Sequence, residues 1–385
     1  MRSRTLRAPK NQNVTFVELF FDLVFVFSVT QVVGLFHDGL NWIVVGQAIL
    51  VFWLVWWAWT QFTWALNAAD TTHPLVQVGT LLATGVAFFM AVALPQAFHG
   101  RELWFAVTYV LVRAIGLILF SMVAAGDPDH RADVRNWTLL SLGGLIAVLI
   151  GGFLGGTMQY LFWGTAVLLD IIAANIAGRG QGVDLNPDHF GERHGLFVII
   201  ALGETLIVAA GRVTGATWDA ILITVAVFAV AITCGLWWSY FARAKAVLDE
   251  ALEKISRSER LKMAGAVYSL AHFPMLFGVI LYAYAIEEVV AHPQEALPLP
   301  VRIALAVGLA LFIGGMAYAV RRAAGKTLVA RLVLILLMGL AVIFVPNVSG
   351  LATLAIAFAG VLAIAIVEQR GEKLTINSQQ STINN

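Results

Sequence analysis

Charge and cysteine are what this chain lacks. Only 12% of its 385 residues are Asp, Glu, Lys or Arg, about half the roughly 25% of a soluble domain. Cysteine occurs once, at Cys234, so no intrachain disulfide can form. Its place inside an apolar run predicts an inert core residue. The net charge is +1, and no basic arm or basic–aromatic interleaving occurs, so the footprint of a nucleic-acid partner is missing. Also absent are GxxxxGK[ST], GxGxxG after a strand, HExxH and any Cys/His metal spacing. Those absences argue against a nucleotide-driven pump and give no reason to expect a cofactor or metal. No Ser/His/Asp grouping or nucleophile–base pair stands out, so enzymatic chemistry is not expected.

What is present is apolar length. Hydrophobic residues make up 60% of the chain, gathered in runs long enough for transmembrane helices. The expected fold is an all-α polytopic bundle of about twelve spans, at roughly 14–36, 41–66, 74–98, 103–124, 136–155, 158–178, 195–212, 218–241, 263–290, 301–320, 328–345 and 349–368. The basic start resembles a signal peptide. The apolar run behind it is too long, carries two acids and lacks an A-x-A site, so retention is expected. The N-terminal segment and every second connection hold 4, 0, 2, 2, 6, 4 and 2 Lys and Arg, whereas Arg101, Arg212 and Arg302 lie opposite and Arg113 lies within a span. By the positive-inside rule both termini are expected in the cytoplasm, with the bundle in the cytoplasmic (inner) membrane.

Twelve spans invite division into two sixes. Placing Glu18 on Glu192 brings Thr30 onto Glu204, and each half next carries a span ending in Trp-Trp and further aromatics, at Trp56 and Trp237. This hints at a parallel duplication. The expected organisation is then roughly 1–13 as a cytoplasmic segment, 14–178 as the first half, 179–194 as a cytoplasmic linker, 195–368 as the second half and 369–385 as a disordered tail.

Polar residues inside the spans are the pointers to function. Glu18 and Asp22 stand four apart on the first span and share a face. An ionised carboxylate in hydrocarbon costs at least about 2.5–3.5 kcal/mol, so each must meet a partner, a proton or an ion. Asp170, Glu204, Arg113 and His272 also fall within spans, and together these residues are expected near the bilayer midplane. Two readings stand side by side. In one, the acids Glu18, Asp22, Asp170 and Glu204 line a hydrated path and bind a cation or proton. In the other, they pair as structural glue, with Arg113 neutralising one acid, Asp170 among the candidates. Pro274, two residues after His272, frees a carbonyl and permits a bend, which suits either a gate or a satisfied core histidine.

Other patterns read as packing. Trp53, Trp57, Thr60 and Trp64 share a helical face, expected as an interfacial belt rather than an aromatic pocket for a cation. Gly151/Gly155 and Gly152/Gly156 give overlapping GxxxG patterns for close helix contact. In the connection 242–260, Ala244, Leu248, Ala251, Leu252 and Ile255 share one face, predicting a short helix on the membrane surface or against the bundle.

Five blocks carry a resemblance: VELFFDLVFVFSVTQV from Val17, WWAWTQFTWALNAADTTHPL from Trp56, YVLVR from Tyr109, ERHGLFVIIALGETLI from Glu192 and HFPMLFG from His272. In this order they resemble the bacterial low temperature requirement A family. The resemblance implies a multi-span inner-membrane protein associated by name with growth in the cold, and it carries over Glu18, Asp22, Glu192, Arg193, Gly203 and Glu204. After Asn67 the family pattern has a further acid or base pair, where this chain reads Ala68-Ala69-Asp70-Thr71-Thr72-His73. An ion pair there is not expected.

The resulting expectation is a transporter or channel for an ion or small solute. Glu18, Asp22, Asp170 and Glu204 would bind the cation or proton, supported by Arg113, Glu192, Arg193 and His272. The alternative is a membrane scaffold or sensor supporting growth at low temperature. Expected partners are membrane lipid, a small cation, proton or small solute and no nucleic acid; a homo-oligomer is compatible with the sequence.

Overall fold

Lipid offers no hydrogen-bond partner to a peptide group, so long apolar runs are driven into helices that satisfy their own backbone. A computed structural model describes residues 6–9, 11–37, 39–125, 131–177, 185–214 and 218–383. The first six helices are α1 (Phe16–Val33), α2 (Trp42–Ala68), α3 (Pro74–Ala93), α4 (Glu102–Ala125), α5 (Arg131–Leu154) and α6 (Gly156–Ala177). They are followed by α7 (Pro187–Thr214), α8 (Ala220–Ser239), α9 (Lys245–Lys254) and α10 (Arg257–Ala264). The last four are α11 (His272–Ala291), α12 (Leu299–Ala324), α13 (Val329–Phe344) and α14 (Gly350–Ile383). Among the described residues strand-like pairing is confined to isolated bridges, Arg7 with Ala69 and Ala296 with Ser349. The all-α polytopic class read from the sequence is the observed one.

Among the described residues, eleven helical stretches are long and apolar enough to cross a membrane. The remaining expected span, α13, has only 16 residues, about 24 Å at ~1.5 Å per residue against a hydrocarbon core of ~30 Å. Helix starts follow the sequence. Thr15 and Glu18 form a capping box at α1, and the Asn41 carboxamide accepts from the N–H groups of Ile43 and Val44 at 3.0 and 3.1 Å. Between α5 and α6 the chain reverses through Gly155 and Gly156, both at positive φ (64° and 54°), a turn that a β-carbon would strain.

By its contacts the chain divides into two compact units. Unit 1 comprises Met1–Glu204 with Leu248–Phe273, and unit 2 comprises Thr205–Val247 with Pro274–Asn385. These boundaries fall inside α7, α9 and α11 rather than at the expected linker 179–194, of which residues 179–184 lie outside the described ones and 187–194 are the start of α7. The physical reason is helix length. Ala220–Lys254 and Glu259–Ala291 run on for 35 and 33 residues, each passing through a π-helical turn, Tyr240–Ala244 and Gly265–Leu270, so each helix contributes to both units.

Within unit 1, Gly151 and Gly152 serve packing as expected. A Cβ on Gly151 would meet the Trp163 ring of α6, and one on Gly152 would meet Ala106 and the Glu102 carbonyl of α4. Within unit 2, Gly278 and Gly308 let α11 and α12 cross backbone to backbone. A Cβ on Gly308 would lie 2.8 Å from the Gly278 oxygen and 2.9 Å from the Tyr282 nitrogen.

Three expectations change, and a fourth resolves between its two alternatives. Trp56, Trp57 and Trp59 are 1%, 4% and 0% exposed, so these three tryptophans of the second span fill the interior of unit 1 instead of forming a belt. Their rings find partners there: Trp53 stacks on Trp57 at 5.5 Å and Trp56 on Trp59 at 4.8 Å. The segment after α8 takes the packed one of its two expected places, since Leu248 and Leu252 are buried and the Tyr268 hydroxyl donates to Asp249 at 2.8 Å. Cys234 is exposed, not core, because the inward face of α8 there belongs to Thr233 and Leu236. The backbone of α14 stays helical to Ile383, where a disordered tail from Gln369 was expected; no proline interrupts it.

Candidate functional site

The acids of α1 project onto α7, which runs alongside in register. Glu18 is the third residue of its helix and reaches back to the cap: Oε2 accepts from both the N–H and the hydroxyl of Thr15 at 2.9 Å. The same carboxylate faces His189, with Nε2 at 3.1 Å from Oε1, and Arg193, with Nη1 at 3.6 Å. One turn further along, Asp22 Oδ1 accepts from Arg193 Nη2 and from the Trp59 indole N–H, the latter at 2.7 Å. The Arg193 guanidinium also lies 5.5 Å from the Trp59 ring, a cation–π contact. All five side chains are sealed from solvent: Glu18, Asp22, Trp59 and Arg193 are 0% exposed and His189 is 1%.

His189 is anchored behind by Asn67. The Asn67 carboxamide accepts the Asn186 backbone N–H at 3.0 Å and donates to the Asn186 carbonyl at 2.9 Å. Its remaining N–H meets His189 Nδ1 at 3.2 Å. The N-terminal segment closes this end, with the Gln12 side chain donating to the Leu66 carbonyl at 3.1 Å.

Two further acids occupy separate places. Asp170 of α6 pairs with Arg113 of α4, Oδ1 to Nη2 at 3.2 Å and Oδ2 to Nη1 at 3.4 Å. Arg113 also donates to the Tyr109 hydroxyl at 2.7 Å. Both members of this ion pair are buried, the counter-ion arrangement among the sequence-level alternatives. Glu204 accepts from the Thr30 hydroxyl of α1 at 2.7 Å and is only half-buried. Thus α1 and α7 are tied at two levels, Glu18/Asp22 to His189/Arg193 and Thr30 to Glu204, with a sequence offset of 171 to 174 residues. Partners that advance together along both helices mean that α1 and α7 run in the same direction.

The expected single cluster near the midplane therefore resolves into distinct sites. Glu192, carried over by resemblance, is exposed, whereas its neighbours His189 and Arg193 are buried. His272 is 0% exposed, with Nδ1 at 2.9 Å from the Val267 carbonyl and its ring 5.3 Å from that of His194. Pro274 lacks an N–H, and the chain before it accommodates this by the π-helical turn, Ala271 N–H bonding the Ala266 carbonyl. Sequence reasoning missed His189, His194, Asn67 and Trp59. The first could have been found from its spacing, since His189 and Arg193 stand four apart just as Glu18 and Asp22 do. It also missed the Arg331–Glu368 pair of unit 2, at 2.5 Å, and the buried Glu287 of α11. Among the described residues no group of three or more His, Cys, Asp or Glu is arranged to hold a metal ion.

Compared with known proteins, residues 13–366 match the family described as bacterial low temperature requirement A protein (LtrA). An uncharacterised protein of Rhizobium meliloti (strain 1021) is 29% identical over 323 residues, covering 78% of this chain and 75% of that one. No solved structure matches.

Proposed function

The chain belongs to the bacterial low temperature requirement A family and is an integral multi-pass membrane protein; from that premise we propose that it is a transporter or channel for an ion or small solute, with Glu204 as the carboxylate that meets the cargo. One observation carries this reading. Glu18, Asp22 and Asp170 are buried beside Arg193 or Arg113, whereas Glu204 has a hydroxyl as its hydrogen-bond partner and keeps part of its surface open. A carboxylate within an apolar span and without a counter-charge is expensive, and such residues mark ion and solute pathways. A cation or proton arriving at Glu204 would supply the missing charge. Thr30 would hold the carboxylate in place and release it as α1 and α7 shift. The network at Glu18 and Asp22 would act as the fixed point of that motion. The protein would act without covalent chemistry, in the cytoplasmic membrane with both termini inside, surrounded by lipid and as a monomer or homo-oligomer.

Reconstitution tests this. Purified protein in liposomes should pass protons or a monovalent cation, and Glu204→Gln should remove that flux while leaving the fold intact. Wild-type liposomes tight to every ion and small solute tried would overturn the reading.

A second reading has its own support. Charges on neighbouring helices pair off in both units, at Arg113–Asp170, Arg193–Asp22 and Arg331–Glu368, as glue in a non-transporting scaffold or sensor would. Restoration of cold growth by the Glu204→Gln variant would favour the scaffold.

A further inference from the structure

The charges around Arg193 do not sum to zero, and the hydrogen bonds say why. Asn186 offers a backbone N–H and a carbonyl to Asn67, and only one orientation of the Asn67 carboxamide satisfies both. That orientation leaves an Asn67 N–H directed at His189 Nδ1. The Nδ1 atom must then hold a lone pair, so the imidazole is neutral and carries its single proton on Nε2, which faces Glu18. A second proton on His189 would set N–H against N–H.

With His189 neutral, two carboxylates face one guanidinium in a place without solvent. An uncompensated buried charge is among the costliest arrangements in a protein. The two acids also differ in what reaches them. Glu18 has Thr15, His189 and Arg193 around it. Asp22 has all its donors on Oδ1, while the buried Oδ2 has no hydrogen-bond partner. Glu18 Oε1, one helical turn away, receives no regular hydrogen bond either.

We propose that the Glu18–Asp22–Arg193–His189 network is a binding site for a single exchangeable proton, carried at Asp22 Oδ2, with Asn67 as the positioning residue that keeps His189 from taking it. Every charged or titratable group facing Asp22 enters this account: Glu18 from α1, and His189 and Arg193 from α7. His194, whose ring lies 4.9 Å from Trp59, has Nδ1 at 2.9 Å from the Phe190 carbonyl. The proposal concerns the occupancy of the network and stands whether or not the protein moves a solute.

The charge sum makes an unusual demand on variants. Removing either acid as its amide balances the arginine without a proton, so Asp22→Asn and Glu18→Gln should each retain the wild-type melting temperature to within a few degrees. The double variant leaves Arg193 alone and should lose most of the folded protein. Infrared difference spectra of the full chain in liposomes at neutral pH supply the direct readout. Wild type should show a protonated-carboxyl C=O band that shifts in deuterated water and is missing from both single variants. Three results would overturn the proposal. A band that survives Asp22→Asn belongs elsewhere. A wild type without the band whose single variants both melt early has a cationic His189. A wild type without the band whose stability rises with sodium or potassium holds a metal cation in place of the proton.

Discussion

Unit 1 adds buried charge to its close glycine contacts, whereas unit 2 closes its helices on glycine contacts with its ion pair at an edge. In unit 1, Glu18, Asp22, Arg193, Arg113 and Asp170 are all 2% exposed or less, and indole, imidazole and phenol groups hydrogen-bond to them. In unit 2, α11 and α12 meet at Gly278 and Gly308, Gly235 of α8 receives Val361 of α14, and Gly360 receives Met338 of α13. Its one strong ion pair among the described residues, Arg331–Glu368, sits at an edge where Glu368 keeps 16% of its side chain open. Helices in lipid gain no hydrophobic drive toward one another, so either close packing or polar contact must hold them. The two units show the two solutions in one chain, and they predict different sensitivities.

Arg193→Met should show the largest effect. It strands two buried acids at once, and breaking a buried pair by removing one member costs about 3–5 kcal/mol. Thermal unfolding in detergent should register this as a large loss, whereas Arg331→Met in unit 2 should cost about 1–3 kcal/mol because Glu368 can turn to solvent. Equal losses at the two arginines would erase the contrast between the units. Gly278→Ala should come next. The groups in its way are the Gly308 carbonyl and the Phe312 N–H, which cannot rotate aside, so the α11–α12 crossing must open at a cost of about 1–3 kcal/mol. The same substitution at Gly203, where a Cβ would meet nothing within 4 Å, is the matched control and should be nearly silent.

How much of this was legible beforehand follows from which interactions are local. Span positions, caps and the α5–α6 turn depend on residues a few positions apart, so apolar run length and the Gly155-Gly156 pair sufficed. The inward acids were also legible, because a carboxylate in an apolar run has few explanations. Their partners were not. His189 lies 171 residues from Glu18, in a stretch of α7 that its own sequence presents as a polar helix start. The tryptophans misled for a related reason. Five of them toward one end of a span have the composition of a membrane-interface belt, and only the positions of Asp22 and Ser269 show that Trp59 and Trp56 point inward to donate hydrogen bonds.

The smallest expected effect tests orientation inside unit 2. Thr233 and Cys234 are neighbours on α8, yet the Thr233 hydroxyl bonds the Ala229 carbonyl at 2.9 Å and meets the Tyr282 hydroxyl at 3.1 Å, while Cys234 is exposed. Tyr282 keeps a second acceptor, the Ala229 carbonyl at 3.0 Å, so Thr233→Val should cost only about 0.5–1.5 kcal/mol. Cys234→Ser should change stability by no more than about 0.5 kcal/mol, the range of a surface site. The thiol lies midway along an apolar span, so its open side is a lipid-facing one. A membrane-soluble maleimide should therefore label Cys234 readily in intact liposomes, and a charged maleimide slowly. Resistance to both reagents until the protein is unfolded would return Cys234 to the core and turn the face of α8 around.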